Sequence, residues 1–312
     1  MNTKKCAYCG MEAKGTKEHI ISSGVLDLFP ECFLTIDQGK QIVHEADPVI
    51  KDVCADCNNK RISYIDSYAK EIIQRNFLQK YDKDIELDFE YDYSMIQKVL
   101  LKYAYNDLRV HKENTDFYDD EILSYLVKQE NDEPKRNVLV LAGIAVNTSP
   151  VPDYVFGNQK LQWLRNPMLF GNSIVMNINY ETGEMKLREP FEIEKFEYLK
   201  FSYVFRFNSG QFLLLCFDKN IPEEKLKQIK IVLDVQYPYK VLNEESNMVL
   251  SRCTSETTYH QIGLIDVSWG QGMFDEISIM RGMASPNSKA YFEHMTKEWE
   301  EYEKQLAEEH KR

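Results

Sequence analysis

The chain has no long hydrophobic run. No stretch approaches the roughly 18 apolar residues of a membrane span, and the Cys-X-X-Cys near the start leaves no apolar stretch for a signal peptide. Both absences point to a protein of the cytoplasm that engages no membrane. Several catalytic signatures are missing as well. There is no phosphate-cradling P-loop, no Gly-X-Gly-X-X-Gly and no serine nucleophile elbow, and no internal repeat. An excess of positive charge is also lacking: 38 Lys/Arg stand against 50 Asp/Glu, a net charge of -12. Phosphate contacts need Lys and Arg, so this balance argues against tight, indiscriminate duplex binding and for an activity that needs assembly or a trigger.

What is present fits a soluble globular protein with ample core, at 43% hydrophobic and 28% charged residues. A chain of 312 residues predicts two or three domains. The acidity is uneven. Residues 1–75 carry 10 Lys/Arg and 11 Asp/Glu, net -1, whereas the other 237 residues carry 28 and 39, net -11. A local phosphate-binding surface around Lys60, Arg61, Lys70 and Arg75 is therefore compatible with the overall charge.

Residues 4–13 read as a metal-binding knuckle, with Gly10 taking the positive φ such a turn wants. Residues 17–21 read as a short strand and 22–32 as a loop. Residues 34–36 and 41–43 pair as a hairpin across 37–40. Ile62, Ile65, Tyr68, Ala69, Ile72 and Ile73 recur every three or four positions and predict a helix over 56–75. Residues 76–91 read as a linker with an extended piece at 85–89. The strongest helical pattern covers 93–110, where Met95, Val99, Leu100, Tyr103, Ala104 and Leu108 make one apolar face. A further helix is expected over 117–129, opened by Asp116, Asp119 and Asp120. The texture then changes to strands at 138–142 and 173–178, a hairpin of 196–207 with 211–217, and strands at 228–235 and 259–267. A charged helix closes the chain from about residue 287.

Cys6, Cys9, Cys54 and Cys57 form two Cys-X-X-Cys pairs. Four thiolates are the closed tetrahedral shell of structural Zn²⁺, and in a reducing compartment this pattern favours metal over disulfide. Redox or free cysteines are the alternative. Cys32 reads as a loop cysteine and Cys216 as core. The pairs are 44 residues apart, longer than a zinc ribbon needs, and the gap holds Glu18 and His19 side by side in an apolar, strand-like run.

The order Cys-X-X-Cys, Glu18-His19-Ile20, then Val53 followed by Cys-X-X-Cys, Asn58, Asn59 and Lys60 resembles the zinc-bearing branch of the HNH endonucleases, whose site is a ββα-metal fold. The resemblance covers residues 4–75, under a quarter of the chain. It implies that His19 is the general base that removes a proton from water, a task an imidazole suits. Glu18 matches the acidic metal ligand, where Asp is more frequent, and Asn58 the last position of the motif. One carboxylate, one amide and waters suit Mg²⁺ or Mn²⁺, which would hold the scissile phosphate and stabilise the leaving oxygen.

The pattern breaks in its middle, because the asparagine expected shortly before the second cysteine pair to orient the histidine is absent. His44 is taken as a site residue there, with Asp47 or a backbone carbonyl as alternatives. Lys60 and Arg61 are candidate nucleic-acid contacts or otherwise a solvated face. Asn58 is also a favoured helix N-cap. Asp66, eight residues after Asn58, either supports the site or is simply exposed.

The expected fold class is α+β. A zinc-stabilised ββα-metal module spans residues 1–78, a helical linker segment 79–130, and a larger strand-rich α+β domain 131–312. The expected function is metal-dependent hydrolysis of phosphodiester bonds in nucleic acid, DNA ahead of RNA, as in a restriction or phage-defence effector. The larger domain would choose the substrate, sense a small molecule, or mediate contact with a second copy or a partner protein. The alternative is a zinc-stabilised nucleic-acid- or protein-binding adaptor without activity.

Overall fold

The computed structural model describes residues 3–30, 32, 35–37, 42–44, 48–82, 84–129, 133–146, 160–165, 176–178, 185–187, 196–236, 239–253 and 304. The architecture is mixed, with several antiparallel sheets and helices against them. Strands β1 (Lys4–Lys5) and β2 (Glu12–Ala13) pair antiparallel and carry the first cysteine pair between them. Gly10 there has φ 68°, the left-handed conformation the knuckle requires. β3 (Gly15–His19) pairs antiparallel with β6 (Val49–Cys54), with a register shift between Thr16 and Glu18. Between them lie α1 (Ser23–Leu26) and the hairpin β4 (Thr35–Asp37) and β5 (Ile42–His44), shifted by one residue from the expected positions.

The helix expected over 56–75 is divided. A π-helical turn, Cys57–Arg61, is followed by α2 (Ser63–Asn76), and the break falls at Ile62. The extended piece expected at 85–89 within the linker is a paired strand. β7 (Glu86–Glu90) pairs antiparallel with β15 (Asn247–Ser251), and its Phe89 is fully buried. Next come α3 (Tyr93–His111) and α4 (Asp120–Val127), capped by the Asp92 and Asp119 carboxylates. The stretches β8 (Val138–Ile144), β9 (Leu161–Arg165), β12 (Leu199–Phe207), β13 (Gly210–Phe217) and β14 (Lys240–Val241) form a five-stranded antiparallel sheet in the order β14-β8-β13-β12-β9. β10 (Met176–Ile178) and β11 (Met185–Leu187) pair separately.

This sheet is covered on both faces, which explains its near-continuous apolar runs. Val138, Val140, Phe205, Phe207 and Leu214 face a core shared with α3. Leu139, Leu141, Val204, Leu213 and Leu215 face a second core on the other side, built with α5 (Glu223–Gln236). The strand expected at 228–235 is therefore a helix. Its β-branched residues suggest a strand, but the buried set is Leu226, Ile229 and Leu233, at helical spacing. The strand expected at 259–267 lies outside the described residues, as does the helix from residue 287 save for Lys304, which is helical. No helix among the described residues is long and apolar enough to cross a membrane.

Helix α3 is the centre of the molecule. Fifteen of its nineteen residues are buried, so it has no solvent face of ordinary width. Polar residues on it find partners inside: Gln97 donates to the Lys135 and Val138 carbonyls, and Asp107 accepts from Trp163 and Tyr203. One core runs from Cys6 through α3 to Leu250, across the boundary expected near residue 78. Phe77 sits directly over Gly210, where an added Cβ would come within 2.5 Å of the ring.

Candidate functional site

The thiol sulfurs of Cys6, Cys9, Cys54 and Cys57 all lie within 4.8 Å of one another, and three of the four residues are buried. Cys9 Sγ and Cys54 Sγ are 3.9 Å apart. A tetrahedron of Zn–S bonds of about 2.3 Å predicts about 3.8 Å, so the cluster fits a structural zinc. The chain prepares it further: the Cys54 amide donates to Cys6 Sγ at 3.3 Å and the Cys57 amide to Cys54 Sγ at 3.4 Å. Burial raises the Cys6 thiol, but the amides of Cys54, Cys9 and Tyr8 outweigh it and bring it down to about 7. Burial pushes Cys57 and Cys9 up.

The cysteine cluster fixes the start of the π-helical turn beside β3. Asn58 on that turn is not a helix cap. Its carboxamide donates to Thr16 Oγ1 and to the Lys17 carbonyl, both at 2.9 Å, and so pins the irregular part of β3. Asn58 Oδ1 accepts no hydrogen bond among the described residues.

Glu18 and His19 are adjacent on β3 and differ in burial, as alternation along a strand dictates. Glu18 is buried. Its Oε1 lies 2.7 Å from the ammonium of Lys102 on α3 and accepts from Asn106 at 3.1 Å. Its Oε2 accepts no hydrogen bond among the described residues. His19 is half-buried, and its Nδ1 is buried without a hydrogen-bond partner among the described residues. Lys102 also holds Asp66 of α2 at 2.6 Å. Asp66 is thus an ion-paired part of this cluster, within electrostatic reach of His19. Burial opposes the charge on Lys102, but Asp66 and Glu18 outweigh it and hold the ammonium well above the ordinary lysine range.

His44 ends β5 opposite Thr35, and its side chain lies outside the described residues, as does Asp47. Lys60 is exposed and ion-paired with Asp56 at 3.5 Å, while Arg61 ends the π-helical turn, half-buried. The sequence reading missed two residues of the cluster, Lys102 and Asn106. They lie one turn apart on α3, more than 80 residues from Glu18, and nothing local marks them.

The Glu18 carboxylate and the Asn58 carboxamide oxygen are of the oxygen-donor type that a hydrated Mg²⁺ or Mn²⁺ accepts, whereas His19 Nδ1, buried without a hydrogen-bond partner among the described residues, is a nitrogen that suits a proton better than so hard an ion. The fit is open rather than caged. Among the described residues only the four cysteines gather three or more His, Cys, Asp or Glu ligand atoms this closely. No protein-family model, curated protein or solved structure matches the chain. The resemblance to HNH endonucleases therefore rests on the residues quoted for it.

Proposed function

We propose that the N-terminal part of this protein is an HNH-type nuclease module that hydrolyses phosphodiester bonds of nucleic acid, with DNA the first substrate to try. The observation that carries the reading is the clamp of Asn58 onto Thr16 and Lys17, next to Glu18 and His19, at the edge of a four-cysteine cluster. It joins the three parts of the quoted motif in one corner. In this reading His19 takes the proton of the attacking water at a ring nitrogen. Glu18 and Asn58 would hold Mg²⁺ or Mn²⁺, which supplies charge stabilisation at the scissile phosphate when bound. Lys60 and Arg61 lie on the same turn as Asn58 and would contact the flanking backbone as positive charges.

The test is cleavage of plasmid and of single-stranded DNA and RNA by the full chain with Mg²⁺ or Mn²⁺. Wild type is expected to cut and His19→Ala to lose activity by at least about 100-fold, within the range of general-base removal, with its zinc retained. Equal activity in both proteins overturns the role of His19. The adaptor reading is favoured by one observation, the neutralisation of Glu18 by Lys102. Binding of nucleic acid or protein with no cleavage in any metal would decide for it.

A further inference from the structure

Lys102 and Asn106 project from one face of α3 onto the strand that carries the Glu18-His19 pair. Asn106 is fully buried and saturated. Its amide nitrogen lies 3.1 Å from Glu18 Oε1, 2.8 Å from the His19 carbonyl and 3.4 Å from the Ile20 carbonyl. Its oxygen accepts from the Tyr8 hydroxyl at 2.8 Å and from Arg109 at 2.5 Å. Arg109 in turn binds Asp52 on β6, the strand paired with β3. Lys102, one turn earlier, bridges Glu18 and Asp66. The backbone of residue 19 and the carboxylate of residue 18 are thus each fixed by a side chain from outside the first 78 residues.

We infer that α3 is part of the site. Asn106 and Lys102 are positioning residues that set where the His19 imidazole and the Glu18 carboxylate stand. This rests on the nuclease reading for its catalytic consequence, though not for its structural one. A strand end such as β3, followed by a turn, frays on its own. Asn106 ties down the carbonyls on both sides of the His19–Ile20 bond, which removes that freedom. Lys102 ties Glu18 to α2, so β3 and the helix after the cysteines hold one spacing. A base must sit within hydrogen-bond reach of its water, and displacement by about 1 Å costs about 100-fold in rate.

The experiment compares Asn106→Ala and Lys102→Gln with Gln97→Leu, all in the full chain. Gln97 is equally buried on α3 but bonds to the Lys135 and Val138 carbonyls, away from β3. It therefore reports loss of helix stability without loss of the clamp. Zinc content and melting are measured for each, then kcat and KM for cleavage. The ¹⁵N signals of the His19 ring are recorded beside them. Asn106→Ala is expected to lower kcat about 100-fold with KM changed less than about threefold. The His19 ring signals should broaden or shift, and Gln97→Leu should leave both unchanged. Equal losses in Asn106→Ala and Gln97→Leu would reduce the clamp to ordinary stability and overturn the inference. If wild type cleaves nothing, the nuclease reading falls and the ring signals decide alone. Unchanged His19 signals in both Asn106→Ala and Lys102→Gln would then refute positioning. Should Lys102→Gln fail to fold, Asn106→Ala carries the test.

Discussion

Each thiol of the cysteine cluster is held by a different local feature. Cys6 and Cys9 flank a knuckle closed by Gly10, Cys54 ends a strand, and Cys57 starts a π-helical turn. Without an ion, Cys9, Cys54 and Cys57 have little but each other and a few amides to bond. A bound zinc supplies folding energy that these contacts do not replace. Cys54→Ser is therefore expected to lower zinc from one ion per chain to well under half, and to broaden or lower the melting transition. Cys32→Ser should do neither, because Cys32 stands outside the cluster. Chelator-released zinc measured with a colorimetric indicator checks this. Full zinc in Cys54→Ser would mean that three thiolates suffice and that the cluster is not the clamp described. At this scale the sequence was legible, since Cys-X-X-Cys spacing is local and the chemistry of four thiolates is narrow. Lys102 and Asn106 were illegible for the converse reason. A lysine and an asparagine on a helix look like a wet face, and only the strand packed against them reveals their partners.

Single elements were read best where one signal governs. The acidic start of α4 is such a case, although the helix runs from Asp120 to Val127 and not over the expected 117–129. Asp119 accepts from the amides of Glu121 and Ile122, both at 3.1 Å, and pairs with Lys219 at 3.2 Å. Burial raises its carboxyl, but the Ile122 amide and Lys219 together outweigh it and hold it below the ordinary 3.8. Asp119→Ala should cost about 1 kcal/mol near neutral pH. The sign of its pH dependence follows from a depressed folded value. The contribution is present above the unfolded value and is lost as pH falls through the lower, folded one. Melting curves of wild type and Asp119→Ala should accordingly differ at about pH 6 and converge towards about pH 3. A gap constant across that window would show that the charge of Asp119 does not matter. Two other elements misled the sequence reading. The β-branched run of α5 outweighed the spacing of its three buried residues. In α3 the apolar stripe was correct, but periodicity cannot distinguish polar positions facing water from those facing partners inside the protein.

At the scale of the molecule, α3 has its cysteine-cluster side and its sheet side equally covered. Tyr8 and Tyr105 pack edge to face at 5.4 Å, and the Tyr105 hydroxyl donates to the Ala7 carbonyl beside the knuckle. On the other flank Tyr203 of the sheet donates to Asp107. Phe77, just past α2, packs at 5.5 Å from Phe212 of β13, and its carbonyl accepts from Asn208 and Ser209. Residues 1–78 alone would lack Asn106 and Tyr105 against Tyr8, Phe89 and Phe212 against Phe77, and Lys102 beside Glu18. Fully burying one large aromatic side chain contributes about 1.5–3 kcal/mol, so losing the cover of two is a large share of the stability of a domain of that size. The fragment 1–78 with one equivalent of zinc is therefore expected to give a poorly dispersed ¹H–¹⁵N spectrum and no cooperative melt, whereas the full chain gives both. A dispersed spectrum from the fragment would show that the cysteine cluster and its own small core suffice. It would also make α3 an accessory to the Glu18-His19 strand instead of its support.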